Sequence, residues 1–284
     1  MSKVNFGKRV LRLVPTILVG YLLVLLLIRV FESHLIFFPD YPGRLSGDWK
    51  PQNLPLQEVW LTSADGIRLH AWWIPNKKAR LTFLAFHGNA GNIADRAMIY
   101  EFLGTVPANV FALEYRGYGH SGGKPSEAGL YRDAEAAYHY LTGTQHIDPK
   151  TIVSYGQSLG TAVAAHLAAQ HEVGAVVLEA PFLSARSIAT QVFRFLPGLR
   201  LLVYSQFDTK TELEKFNAPI FVAHCRQDPV LPFKLGQEVY AASKPPKTFL
   251  EIDGYCHEEA SVIAADKYRA ALQSFLNGTY SQAK

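Results

Sequence analysis

Beyond residue 50 the chain alternates between short, continuous apolar runs and longer segments with helical spacing. The apolar runs fall at 81–86, 109–114, 151–155, 173–178, 219–224 and 247–252. Helical segments lie between them at 93–103, 126–141, 161–169 and 233–242, and a last one at 258–275 follows the final run. Within 126–141, Leu130, Ala134, Ala137 and Leu141 keep to one helix face, and Ser126 stands at the N-cap position. A strand that is apolar on both sides belongs in a parallel sheet covered by helices on both faces. Two strand-like runs, 57–62 and 67–74, precede the series and are joined by the turn signal Ser63-Ala-Asp-Gly66. The second run carries Trp72 and Trp73, which divide between core and surface. The pattern predicts an α/β fold, a mostly parallel, doubly wound sheet entered through an antiparallel hairpin.

Ahead of this lies Leu13 to Ile28, which contains no charge, with Lys3, Lys8, Arg9 and Arg12 before it and Arg29 after it. About 20 helical residues cross a hydrocarbon core. The run is slightly shorter, but Arg29 can snorkel and Val30-Phe31 can extend the span. A cleaved signal peptide starts in the same way, yet residues 31–39 offer no small-x-small cleavage site. A buried core helix would not need so basic a flank. The expectation is a single-pass transmembrane anchor at 13–31 behind a basic cytoplasmic N-terminus at 1–12, with the remaining chain on the non-cytoplasmic side. Residues 32–56, rich in Pro and Gly from Tyr41 onward, read as a connector, and 57–284 as one domain without a break in composition.

The net charge of +4 is local. With the four N-terminal basic residues set aside, basic and acidic residues balance at 24 each, which argues against nucleic-acid binding. The two cysteines, Cys225 and Cys256, make neither a disulfide framework nor a zinc pattern.

The chemistry centres on Gly156-Gln157-Ser158-Leu159-Gly160, a G-x-S-x-G pattern between a predicted strand and a predicted helix. In that context the serine occupies a tight, strained turn, and the flanking glycines leave room for the neighbouring strand and helix. Ser158 is the candidate nucleophile, presented at a helix N-terminus that favours negative charge. A serine hydroxyl needs a base, and the base an orienting acid, in the chain order Ser, acid, His. His257 is the only histidine beyond the last strand. Asp228 follows the seventh strand in Phe221-Val-Ala-His-Cys-Arg-Gln-Asp-Pro229, and Glu179, at the end of the preceding strand, is the rival acid. For the oxyanion the backbone amides of Leu159 and of Asn89, in His87-Gly88-Asn89-Ala90-Gly91, are the candidate donors. His87 is read as bonding loop backbone. The glycine-rich stretch 115–123 lacks the P-loop lysine and reads as a loop lining the site.

With His-Gly-Asn-Ala-Gly at 87–91, Tyr-Arg-Gly-Tyr-Gly-x-Ser at 115–121, Gly-Gln-Ser-Leu-Gly at 156–160 and the Asp228 and His257 loops in this order, the chain resembles the membrane-anchored α/β-hydrolase-domain (ABHD) proteins. These include depalmitoylating thioesterases. The resemblance spans about residues 35–276. It implies the α/β-hydrolase fold and a Ser158-His257-Asp228 hydrolase acting on a small-molecule or lipid acyl ester or thioester, without metal or cofactor. Thr161 stands where a further glycine often follows the elbow, and Tyr-Cys-His replaces a more usual Gly-x-His lead-in. Neither change removes a catalytic atom. The alternatives are a peptidase of the same fold and a non-catalytic binding module.

Two further expectations concern flanking features. Residues 181–208, with the apolar stretch 192–203, read either as a small lid over an acyl pocket or as a core-packing helix pair. Cys225 and Cys256 flank the acid and base loops and a disulfide is within geometric reach, but two buried, unpaired thiols is the preferred reading.

Overall fold

The computed structural model describes residues 3–281. Its sheet has eight strands: β1 (Gln57–Thr62), β2 (Arg68–Ile74), β3 (Leu81–Phe86), β4 (Ala108–Leu113), β5 (Ile152–Gln157), β6 (Ala175–Glu179), β7 (Ile220–Cys225) and β8 (Lys247–Ile252). They lie in the order β1-β2-β4-β3-β5-β6-β7-β8. β2 runs antiparallel to both its neighbours, β1 and β4, and every pair from β4 to β8 is parallel.

Every residue of β3, β5, β6 and β7 is buried, which is why these strands read as unbroken apolar runs. Alternate residues then feed two separate cores. Leu84, Phe86, Val176, Leu178 and Val222 pack on one face, against α4 (Glu127–His139), α5 (Leu159–Gln170) and α9 (Phe233–Ala242). Phe83, Ala85, Val177, Phe221 and Ala223 pack on the other, against α3 (Ala97–Leu103) and α11 (Ala265–Ser281). Trp72 is fully buried and Trp73 half-buried. Ser126 caps α4, its hydroxyl accepting the Gly129 amide.

The predicted helix at 258–275 is two helices, α10 (Ala260–Ile263) and α11, separated at Ala264. It begins late because the amide of Ala260 donates to a Glu179 carboxylate oxygen at 3.0 Å, which holds the preceding residues in a loop. The connector contains a short helix not foreseen, α2 (Glu32–Ile36). Between β6 and β7 the chain forms α6 (Ala185–Gln191), α7 (Leu199–Leu202) and α8 (Thr209–Leu213).

The N-terminal segment corrects the expectation of a membrane anchor at 13–31 with the domain on the non-cytoplasmic side. It forms α1 (Lys3–Val30), but among the described residues no helix is long and apolar enough to cross a membrane. The charge-free run from Leu13 to Ile28 spans about 24 Å at ~1.5 Å per residue, short of a hydrocarbon core of ~30 Å. One side of α1 also meets protein: Tyr21 donates its hydroxyl hydrogen to the Pro197 carbonyl, and Leu25 is buried beside Gly198.

Candidate active site

β5 ends at Gln157 and α5 begins at Leu159, so Ser158 alone makes the turn. Its backbone sits at φ 49° and ψ −116°, a region that residues with a Cβ avoid. Close packing holds it there. A Cβ on Gly156 would lie 2.2 Å from the Gly160 carbonyl oxygen, and a Cβ on Gly160 would lie 2.1 Å from the Phe86 carbonyl oxygen. The glycine at each flank is therefore a requirement of distance. The Ser158 amide donates to the Glu179 carbonyl at 2.9 Å, pinning the turn to β6.

The loop between β8 and α10 brings His257 to this turn. Its Nε2 lies 2.9 Å from Ser158 Oγ, and its Nδ1 lies 2.7 Å from Asp228 Oδ2. Asp228, just past β7, is surrounded by donors. Its Oδ1 accepts the amides of Val230 and Leu231, each at 2.8 Å, and its Oδ2 also lies 3.3 Å from His224 Nε2. Burial opposes ionisation of Asp228, but the hydrogen bonds from His224 and His257 and the charge of His257 outweigh it, holding the carboxyl well below the usual range. An ionised Asp228 fixes the tautomer: Nδ1 of His257 carries hydrogen, leaving Nε2 to accept from Ser158. Burial also works against the imidazolium of His257, but Asp228, with Glu258 and Glu259, raises its pKa above the ordinary value.

Glu179 has other partners. Its carboxylate accepts from Tyr155 Oη at 2.8 Å, Gln157 Nε2 at 3.3 Å and the Ala260 amide. Burial pushes it up to about 7 against those bonds. It sits beneath the loop that carries His257. His166 stacks on Tyr131 and His171 on Tyr138, both away from this turn.

The loop after β3 lies beside the start of α5, since Gly160 packs against the carbonyls of Phe86 and His87. Asn89 Nδ2 donates to the Ile36 carbonyl at 3.0 Å, and the Asn89 carbonyl accepts from the Phe38 amide and from Tyr118 Oη. Among the described residues, neither the Asn89 amide nor the Leu159 amide donates to an acceptor. His87 Nδ1 lies 2.8 Å from the Gly88 carbonyl and its Nε2 3.1 Å from Glu114 Oε1. Burial lowers the pKa of His87 and raises that of Glu114, favouring the uncharged form of each. The stretch 115–123 braces the same loop, with Tyr115 Oη donating to the His87 carbonyl.

Several residues at this centre leave no mark in the sequence pattern. His224 reads as one more strand residue. Arg96 falls within the segment of helical spacing at 93–103 with nothing to single it out, yet its side chain is 7% exposed and its guanidinium bonds Glu258. The adjacency of Glu258 to His257 is the one signal that could have led to Arg96, and His224 carries none beyond its place four residues before Asp228. Among the described residues no group of three or more His, Cys, Asp or Glu is placed to hold a metal ion.

Cys225 and Cys256 are joined by a disulfide, with Cα atoms 5.7 Å apart, where unpaired thiols were expected. The reason is the side of the sheet: both sulfurs belong to the same core cluster, so Cys225 points toward Cys256.

The model of the alpha/beta hydrolase fold matches residues 82–204. The chain is 34% identical to the alpha/beta hydrolase domain-containing protein WAV2 of Arabidopsis thaliana over 275 residues, covering 88% of this chain and 89% of that one. It is 32% identical to an uncharacterized protein of Mycobacterium tuberculosis over 251 residues, 87% and 88% of the two chains. Among solved structures, the Pyrococcus furiosus esterase Pf2001 superposes with a TM-score of 0.69 at 22% identity, covering 83% of this chain and 97% of that one.

Proposed function

Because the chain belongs to the alpha/beta hydrolase family, we propose that it is a serine hydrolase that cleaves an acyl ester or thioester through an acyl-enzyme on Ser158. The observation that carries this reading is the unbroken hydrogen-bond chain from Ser158 Oγ through His257 to Asp228. In this mechanism Oγ attacks the acyl carbonyl while His257 Nε2 takes its proton. Oγ forms the new bond to the carbonyl carbon, and that carbon's π electrons move onto oxygen. The amides of Asn89 and Leu159 stabilise the oxyanion. His257 then returns the proton to the departing alcohol or thiol. Water repeats the sequence, releases the acid and restores Ser158. Asp228 holds the imidazole in one tautomer and stabilises its cationic form.

The substrate side of the proposal rests on the 181–208 segment. Phe193, Phe195, Leu201 and Tyr204 are exposed, an unusual apolar density for a connection at the carboxyl edge of the sheet. We read the segment as a small lid for an apolar acyl group. The fold neighbour named an esterase is in keeping with acyl transfer. Turnover of a series of p-nitrophenyl esters and acyl thioesters by the wild type, but not by Ser158→Ala, is the expected result. Cleavage of peptides alone, or equal turnover by both proteins, would reject it.

A further inference from the structure

Two loops and the end of β5 meet at Glu258, the residue after His257. Its backbone carbonyl accepts from Gln157 Nε2 at 2.8 Å, and Gln157 is the residue before Ser158. Its carboxylate lies against Gly88: a Cβ on Gly88 would sit 1.6 Å from Glu258 Oε1. Its Oε2 accepts from Arg96 Nη2 at 2.7 Å. Arg96 in turn gathers the loop after β3, donating from Nη2 to the Ala90 carbonyl at 2.7 Å and from Nη1 to the Asn92 carbonyl at 3.0 Å. Side-chain exposures of 7% for Arg96 and 17% for Glu258 make this a largely desolvated pair.

We propose that Arg96 and Glu258 are positioning residues, an ion pair that clamps the loop carrying His257 onto the loop carrying the Asn89 amide. The proposal rests on the serine-hydrolase reading and deepens it. The geometry supplies two reasons. A guanidinium reaches two carbonyls and a carboxylate together from one rigid fork, which a lysine ammonium does less well. In addition, the Glu258 carboxylate stands beside the loop where the transition state gathers negative charge. Arg96 neutralises it there, so that the donors act on the oxyanion without an opposing charge. A pair present only for stability would not require the second role.

A double-mutant cycle separates the two cases. Arg96→Met leaves the Glu258 carboxylate unpaired, and a kcat loss of about 100-fold with KM changed less than ~3-fold is expected. Glu258→Gln, which keeps the shape and removes the charge, is expected to cost about 10-fold or less. Adding Glu258→Gln to Arg96→Met is expected to recover about 10-fold of the lost kcat. Independent or worsening losses in the double variant would overturn the proposal. If Arg96→Met does not fold, Arg96→Gln, which also removes the charge, takes its place in the same cycle. Wild-type protein inert to a fluorophosphonate would reject the serine-hydrolase reading instead. The clamp is then tested by the low-field proton resonance of His257 Nδ1–H: loss in the Arg96 variant supports it, and an unchanged resonance overturns it.

Discussion

Asp228 Oδ2 lies 2.7 Å from His257 Nδ1, although the two residues come from different strand ends. Every oxygen of that carboxylate is matched by donors, from two amides and two imidazoles. Asp228→Asn keeps the shape but offers an amide hydrogen to Nδ1 and favours the wrong imidazole tautomer. It should lower kcat by about 10⁴-fold with the fold intact. Glu179→Gln, whose carboxyl is bonded to Tyr155, Gln157 and Ala260, should cost far less. Ester turnover by the two variants decides the acid, and the reverse order would transfer that role to Glu179.

A second tie joins the same two loops, the Cys225–Cys256 disulfide with a sequence separation of 31. Closing a loop of that size stabilises by roughly 3–4 kcal/mol in the chain-entropy account. The double variant Cys225→Ala, Cys256→Ala should lose about that much in urea unfolding, and reductant should lower the thermal midpoint of the wild type alone. Two titratable thiols in unreduced, denatured protein would contradict the bond.

The pH dependence follows from His257. In the proposed mechanism it works as a base only when neutral, and its folded pKa is raised above the ordinary histidine value of about 6.5. Protonation therefore removes activity as pH falls, and kcat/KM should rise through an inflection above 6.5. The charged groups facing the imidazole are Asp228, Glu258 and Glu259, the last accepting the His257 amide. Glu259→Gln removes one of these negative charges and should move the inflection down. A shift upward would contradict the assignment of its cause.

Much of this site is legible in sequence because the elbow is a local structure. Strand, turn glycines and helix are contiguous, and the clash distances at Gly156 and Gly160 show why the pattern admits nothing larger. His257 and Asp228 are legible through their place after β8 and β7. Glu258 and Arg96 are not, since their partnership spans 162 residues and depends on which way one buried guanidinium turns. The disulfide is legible only in part: the proximity of the two loops follows from the sequence, but the face of β7 on which Cys225 lies depends on strand register. The N-terminal run is ambiguous in sequence because its 16 uncharged residues fall only a little short of a span, and the contacts of Tyr21 and Leu25 with residues 197–198 are too distant in sequence to be seen there.

The lid reading concerns Phe193, Phe195 and Leu201, all exposed between β6 and β7. If these side chains cover an acyl group, octanoyl esters should be turned over faster than acetyl esters. Replacing Phe195 and Leu201 with Ser should erase that preference while leaving acetyl turnover within a few-fold. A preference for acetyl esters in the wild type would count against a lid.

The central claim is that Ser158 is a nucleophile activated by His257. Reaction with a fluorophosphonate, followed by mass mapping of the modified peptide, tests it most directly. The account predicts a single adduct on Ser158, absent in Ser158→Ala and formed at least about 100-fold more slowly in His257→Ala. No adduct in the wild type, or an adduct that persists in Ser158→Ala, would contradict it.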